Sequence, residues 1–245
     1  GRLSDMKSTI DFRNEAKDKL GQFYGDRIDQ MAFLMLSGIS FEFKNNGAAR
    51  PGGATGTLPK LVFHKITAPT TNRHLRVSGS NIAAGDTSLI TAGDTLKYKP
   101  LVRAKAFLKD TGLRGLRIGY NDLLHVFVTT TGMADLRLDA DFMAAVKDAG
   151  ARGKVNPIFD GVDSIMVDGM MIHEYKYVYN TTGKASGQKW GSGGLVNGMR
   201  VLIMGAQALG FFDHGAPGWT EETFDYKNQV GIGTHKVFGM LKPVF

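Results

Sequence analysis

The stretch Leu20-Gly21-Gln22-Phe23-Tyr24-Gly25-Asp26-Arg27-Ile28-Asp29-Gln30-Met31-Ala32-Phe33-Leu34-Met35-Leu36-Ser37-Gly38 decides how the chain folds. Leu20, Tyr24, Ile28, Met31 and Met35 recur at steps of four, four, three and four. That spacing is one face of an α-helix. Phe12 and Ala16 carry the stripe upstream, Asp11 or Ser8 could cap the start, and Gly38 is placed to stop it. A helix from Asp11 to Ser37 would run roughly 40 Å. Its front half is charged on most sides (Arg13, Glu15, Lys17, Asp18, Lys19), as on a helix lying along a surface. Its back half, Met31 to Leu36, is nearly all apolar and is expected to be buried.

Outward from this helix the pattern changes. Lys44 to Lys60 reads as loop, with Asn45-Asn46-Gly47, Arg50-Pro51-Gly52-Gly53 and Thr57-Leu58-Pro59, and Leu61 to Ile66 as a short strand. Tyr98 to Asp110 reads as a helix, with Pro100 in its first turn and Gly112 at its exit. Leu116 to Ile118 and Leu124 to Val128 read as strands, and Thr129-Thr130-Thr131 as the cap of a short turn at Met133 to Leu136. Ala140 to Ala149 is a further helix, followed by a loop at Ala151 to Phe159. Ser164 to Val167 and Met170 to Tyr179 flank Asp168-Gly169, a strong hairpin signal. Asn180 to Gly198 is poor in apolar residues and rich in Gly and Ser, so a mobile loop is expected. Arg200 to Met204 reads as a strand leading into a short helix at Ala206 to Phe211, and Glu222 to Leu241 as long β. In that tail Val230, Ile232, Thr234, Phe238 and Met240 share one parity, and Gly231, Gly233 and Gly239 the other. The order is α+β, not a regular βαβ array.

Composition sets the outer limits. The chain has 245 residues, of which 42% are hydrophobic, enough to bury a core. Its 32 glycines follow no three-residue period, which excludes collagen and points to turns. The net charge of +7 fits a polyanion partner without demanding one. With no cysteine there are no disulfides, thiol nucleophiles or cysteine–zinc sites. No apolar run approaches the roughly 18 residues of a membrane span, and no signal peptide is visible.

The chemical motifs are incomplete. His173-Glu174 lacks the second histidine of a metalloprotease motif and lies in a strand pattern. His64, His74, His125, His214 and His235 have no ligand-like spacing. Gly191-Ser192-Gly193-Gly194 lacks the Gly-Lys-Ser/Thr ending of a P-loop. Asp135, Asp139 and Asp141 are explained by capping two short helices. Asn180-Thr181-Thr182 matches a glycosylation sequon, although nothing marks the chain as secreted. Arg50, Lys60, Lys65, Arg73, His74 and Arg76 form an acid-poor basic run, and Arg114, Arg117, Arg152 and Lys154 add scattered cations. A phosphate-facing surface and an ordinary solvated face both stay open for them. No catalytic residue, metal ligand or cofactor is assigned, and a non-enzymatic binding or structural protein is expected.

Three blocks in one order carry a resemblance. They are Asp11-Phe12-Arg13 with Asp29-Gln30-Met31-Ala32-Phe33-Leu34 and Leu36-Ser37-Gly38; Asn156-Pro157-Ile158-Phe159-Asp160-Gly161 with Asp168-Gly169 and Ile172-His173-Glu174; and Leu202-Ile203-Met204-Gly205-Ala206-Gln207-Ala208 with Glu222-Thr223-Phe224-Asp225-Tyr226-Lys227-Asn228 and Phe238-Gly239-Met240-Leu241-Lys242-Pro243. Together they resemble the major capsid protein family of N-four-like phages, tailed double-stranded-DNA phages whose coat proteins have the Hong Kong 97-like fold.

The resemblance implies an α+β coat protein with a long spine helix, a peripheral domain and an axial domain. Residues 1–66 would be peripheral, with the spine at about 11–37. Residues 67–211 would be mainly axial, and 212–245 a long β segment returning to the peripheral domain. The N-terminal arm and extended loop usual in the family are expected to lie upstream of Gly1. The function implied is self-assembly, through hexamers and pentamers, into an icosahedral shell around packaged double-stranded DNA. The protein would then be found in the virion after assembly in the host cytoplasm. Portal and scaffolding proteins, and a decoration protein, are the further partners implied, and no membrane is involved. A shell protein of an encapsulin-type nanocompartment and a basic DNA-binding protein are the alternatives. Inter-subunit contacts are expected from Arg27, Asp29, Arg50, Lys60, Lys189 and Trp190. DNA-facing charge is expected from Arg73, Arg76, Arg114 and Arg117.

Overall fold

A computed structural model describes residues 12–56, 66–119, 121–149, 164–226 and 229–243. The expected strand at Leu61 to Ile66 and loop at Ala151 to Phe159 fall on or across residues outside this set. Helix α1 spans Phe12–Ser37, 26 residues or about 39 Å. Its last turn is buried at Phe33, Leu34 and Met35. Gly38 ends it with φ +67°. The Gly38 N–H donates to the Met35 carbonyl and the Ile39 N–H to the Leu34 carbonyl, both at 3.0 Å. This is the paired closure of a Schellman motif. A Cβ at Gly38 would meet Pro69 Cδ and the Thr67 carbonyl at 2.9 Å, so both conformation and space require glycine.

Contacts divide the chain into two units, Phe33–Ala208 and the pair Gly1–Ala32 with Leu209–Phe245. The first holds the main core. Strands β1 (Leu75–Ser78) and β2 (Asn81–Ala84) form a hairpin, followed by α2 (Tyr98–Asp110). Next come β3 (Leu116–Ile118), β4 (Asn121–Val128), α3 (Thr130–Leu138) and α4 (Ala140–Ala149). Strands β5 (Ser164–Val167), β6 (Met170–Glu174) and β7 (Leu202–Met204) complete the unit. The sheet order is β3-β4-β6-β5, with β7 also paired to β4. Strands β4 and β6 run parallel, a pairing that needs a long crossover, and α3 and α4 lie in that connection.

Alternation along β4 separates two faces. Leu124, Val126 and Val128 point into the core with Ile165, Met170 and Ile172. Leu101, Met133, Leu136, Phe142 and Val146 pack on them from the helices. Asp168 and Gly169 both have positive φ (49° and 67°), the type I′ geometry that an Asp-Gly hairpin favours. The Thr129 hydroxyl accepts the Gly132 N–H at 3.1 Å and caps α3 as expected. Asp139 and Asp141 reach further than their own helices. Asp139 accepts the first N–H of α2, at Tyr98 (2.8 Å), and Asp141 pairs with Lys99 (2.8 Å).

The second unit adds β8 (Gly210–Asp213), β9 (Gly218–Phe224), β10 (Gln229–His235) and β11 (Phe238–Leu241). They form two separate two-stranded antiparallel ribbons, β9–β10 and β8–β11. The front of α1 lies on the β9–β10 ribbon. Tyr24 donates to the Thr234 carbonyl (2.9 Å), Arg13 pairs with Glu221 (2.5 Å), and Lys17 sits 5.8 Å from the Trp219 ring centre.

Three expectations change. The helix at Ala206 to Phe211 is absent: Gln207 takes a left-handed φ of 63°, and Phe211 and Phe212 extend to pair with Met240 and Gly239. The long β tail is a folded hairpin plus a third strand, turning at Asp225 and Tyr226, which both have positive φ. Asn180 to Gly198 is a tied loop, not a loose one. Bridges join Asn180 to Met199 and Trp190 to Val196, and buried Thr181 accepts the Gly198 N–H at 2.8 Å. Asn180 Oδ1 accepts the Thr182 N–H and hydroxyl, so its side chain is engaged within the turn.

Candidate functional site

The tied loop forms one wall of a cavity of about 940 Å³ that lies within the unit Phe33–Ala208. Leu75, Val77 and Ile82 of the β1–β2 hairpin and Leu101, Ala104 and Leu108 of α2 supply apolar lining. Arg73, His74, Arg76, Trp190 and Arg200 bring cations and an aromatic ring, and Asp86, Asp94 and Asp135 bring carboxyl groups. Gly198 permits this wall to close, because any Cβ there would run into the Trp190 ring.

The charges are unequally compensated. Asp86 is held below the usual carboxylate range by hydrogen bonds from the Ser88 hydroxyl and N–H, with help from Arg76. Burial pushes Asp94 up, but hydrogen bonds from the Gly79 and Thr91 N–H groups and the Thr91 hydroxyl outweigh it, with Arg76 assisting. Arg76 therefore has two acids around it. Among the described residues Arg200 has none of this kind: its guanidinium lies 5.7 Å from the Trp190 ring centre, and burial pulls its pKa down, opposed by Tyr179. The Nε atoms of Arg76 and Arg200 are both withdrawn from water, with no hydrogen-bond partner among the described residues. Burial and then Arg200 push the His74 pKa down against the pull of Asp86, and burial alone pushes Asp135 up. No hydroxyl hydrogen-bonds to His74 among the described residues. The cavity therefore sets half-buried cations beside apolar side chains and carboxyl groups.

On the far side of the sheet from the core, His125 Nδ1 and His173 Nε2 lie 3.0 Å apart, with Phe127 stacked on His173. Burial, then the charge of His125, lowers the His173 pKa. His173 stands in β6, as the alternating pattern required. Among the described residues no three histidines or acids gather as metal ligands.

The residues singled out from sequence fall in several places. Arg73, Arg76 and Trp190 share the cavity, and Lys189 is half-buried next to it in sequence. Arg27 is half-buried and covers the Phe23 ring at 4.9 Å, and Asp29, also half-buried, follows on the same helix. Arg50 donates from Nε to the Phe43 carbonyl at 3.0 Å. Arg114 and Arg117 are exposed, and Arg117 stands opposite Asp122 in the β3–β4 register. Lys60, together with Lys65, Arg152 and Lys154, lies outside the described residues. Sequence reasoning passed over Arg200 and took His74 only as one more cation. One signal was present: Arg200 breaks an otherwise apolar approach to β7.

A family model described as phage capsid protein matches residues 1–245. The major capsid protein of Pseudomonas phage KPP25 is 44% identical over 250 residues. That match covers 100% of this chain and 65% of the relative, so the chain spans about two thirds of the relative's length. The capsid of Ralstonia phage GP4 superposes with a TM-score of 0.76 at 22% identity, covering 99% of this chain and 66% of that one. The capsid of cyanophage Pam1 gives 0.71 at 15% identity, covering 99% and 68%. At these identities the two structures establish the fold, an α+β phage capsid fold.

Proposed function

Because the chain belongs to the phage capsid protein family, we propose that it is the major coat subunit of a phage and builds the icosahedral shell that encloses a double-stranded DNA genome. The observation that carries this reading is the family match over the whole chain, with 44% identity to a phage major capsid protein. The relative and both structural neighbours are phage capsids, which favours a genome shell over a nanocompartment shell or a free DNA-binding protein.

The surface supports it independently. The β8–β11 ribbon exposes Phe211, Phe212 and Leu241, with Val237 beside it, and the β9–β10 hairpin exposes Phe224, Tyr226 and Val230. Clusters of this kind mark interaction surfaces. Two-stranded ribbons are marginal alone and leave strand edges free for pairing with another chain. We read α1 as the spine of a Hong Kong 97-like subunit, the unit Gly1–Ala32 with Leu209–Phe245 as its peripheral domain, and Phe33–Ala208 as its axial domain. Residues 33–66 then join the axial side. The role is structural and not catalytic, and the place of action is the virion. Hexamers and pentamers of the chain, packaged DNA, and portal, scaffolding and decoration proteins are the partners of this reading. Arg73, Arg114 and Arg117 are the exposed cations offered to phosphate. Arg27, Asp29, Arg50, Lys60 and Lys189 stay as proposed subunit contacts.

Electron microscopy of the purified full-length protein at physiological salt, with and without co-expressed scaffold, tests the reading. Closed, uniform icosahedral shells are expected. Monomers or small oligomers under both conditions would sink it.

A further inference from the structure

We propose that His125 and His173 form a one-proton latch: the two rings hold together while a single hydrogen lies between them and part when both are charged, which loosens the seat of Phe33 of α1 on the central sheet. The geometry carries the argument. His125 Nδ1 and His173 Nε2 are 3.0 Å apart, the ring centres are 5.3 Å apart, and the planes are 10° from parallel. Only rings that meet end-on in nearly one plane reconcile so short a nitrogen separation with centres so far apart. The two facing nitrogens therefore point at each other, with room for one hydrogen between them. In the neutral pair one ring donates and the other accepts. A first added proton goes to the outer nitrogen of the donor ring and leaves the bridge intact. A second must go to the outer nitrogen of the other ring while its inner proton, or that of its partner, fills the bridge twice over, so two N–H groups face each other and the contact fails.

The surroundings give a second charge no compensation. Met171 of β6 and Met204 of β7 stand opposite His125, Leu202 of β7 opposite Phe127, and Ser164 of β5 opposite His173. The acids of the two strands, Asp122 on β4 and Glu174 on β6, are at positions of the other parity, and Arg117 of β3 stands opposite Asp122. Among the described residues, the charge that acts on His173 is that of His125. The contact leads directly to α1. His173 lies against the Phe127 ring at 4.9 Å between centres, and Phe127 meets Phe33 edge-on at 5.4 Å. Phe33 also lies 4.9 Å from the phenol ring of Tyr175, two residues after His173. Phe33 is buried in the last turn of the helix, so a displaced His173 is felt there both through Phe127 and along its own strand.

Hydrogen exchange of the full-length protein, read by mass spectrometry from pH 7.5 to 5 and corrected for intrinsic rates, tests the latch. Protection of residues 33–39 should fall at least fivefold relative to α2. Deuteration at the imidazole C2 carbon, read on the same samples, should show His125 and His173 titrating in two steps at least one pH unit apart, with the loss of protection following the second. His125→Gln and His173→Gln each keep a side chain able to bond the remaining histidine in either charge state, and each should abolish the relative loss. Constant protection in the parent overturns the inference, as do coincident titrations of the two rings or a loss that follows the first step. An undiminished loss in whichever variant keeps its fold by circular dichroism also overturns it. If neither variant folds, the order of the two steps and the loss in the parent decides.

Discussion

Single residues account for several tight points of the structure. Gly38 closes α1 at a positive φ with backbone atoms 2.9 Å from where a Cβ would stand. Gly38→Ala should cost about 1–3 kcal/mol, seen as a lowered denaturation midpoint with unchanged slope. His74 and His173 give a pH signature. Both have folded pKa values below the ordinary imidazole value, chiefly through burial. The unfolded chain therefore binds more protons than the folded one as pH falls through that region. Their contribution is complete above the unfolded pKa and is lost progressively as pH drops through 6.5 toward the folded values. Urea midpoints of the subunit should decline from pH 7.5 to 5.5, and His74→Gln with His173→Gln should flatten that decline. An equal slope in the double variant would show that other groups govern it. The role of Gly38 as a stop was readable from its position after the apolar turn. The depressed histidines were not, because their burial comes from residues far away in sequence.

At the level of elements, local pattern and tertiary packing agree where periodicity is strong. Helix α1, the Asp168-Gly169 hairpin and the alternation of β4 follow from spacing and turn chemistry. Ile172 on β6 packs at the centre of the core cluster. Ile172→Ala should destabilise the subunit by about 2–5 kcal/mol, measured by equilibrium denaturation, because the cavity left there is enclosed by other core side chains. Ala206 to Phe211 went the other way. Its composition suits a helix, but Phe211 and Phe212 gain more as ladder partners of β11. Asn180 to Gly198 reads as flexible because its residues are small. Its order comes from hydrogen bonds such as Gly187 N–H to the Gly194 carbonyl, which no composition records.

For the whole molecule, charge and exposed apolar surface carry the consequences. The net +7 is distributed so that Arg114 and Arg117 remain in solvent, whereas Arg76 is held among acids. Replacing both exposed arginines by alanine should lower the slope of log K against log salt for duplex DNA by up to about 2, since each phosphate contact contributes roughly 0.9. Titrations at several salt concentrations check this; an unchanged slope would place DNA elsewhere. The exposed Phe211, Phe212 and Leu241 leave a face that an isolated subunit would not favour, in keeping with the proposed shell subunit, whose final burial would come from its neighbours.

Sequence alone determined the long helix, its stop at Gly38, the α+β order, the central hairpin and the likeness to phage coat proteins. These depend on periodicities of 3.6 and 2, on turn residues and on blocks of neighbouring residues, all local properties. The tertiary structure alone decided the parallel pairing of β4 with β6, the folding of the β tail and the tied loop. It also decided the meeting of Arg76, Trp190 and Arg200 around one cavity. Those depend on which distant segments come together, and on whether a charge ends up paired or alone. Neither is encoded in the spacing of residues along the chain.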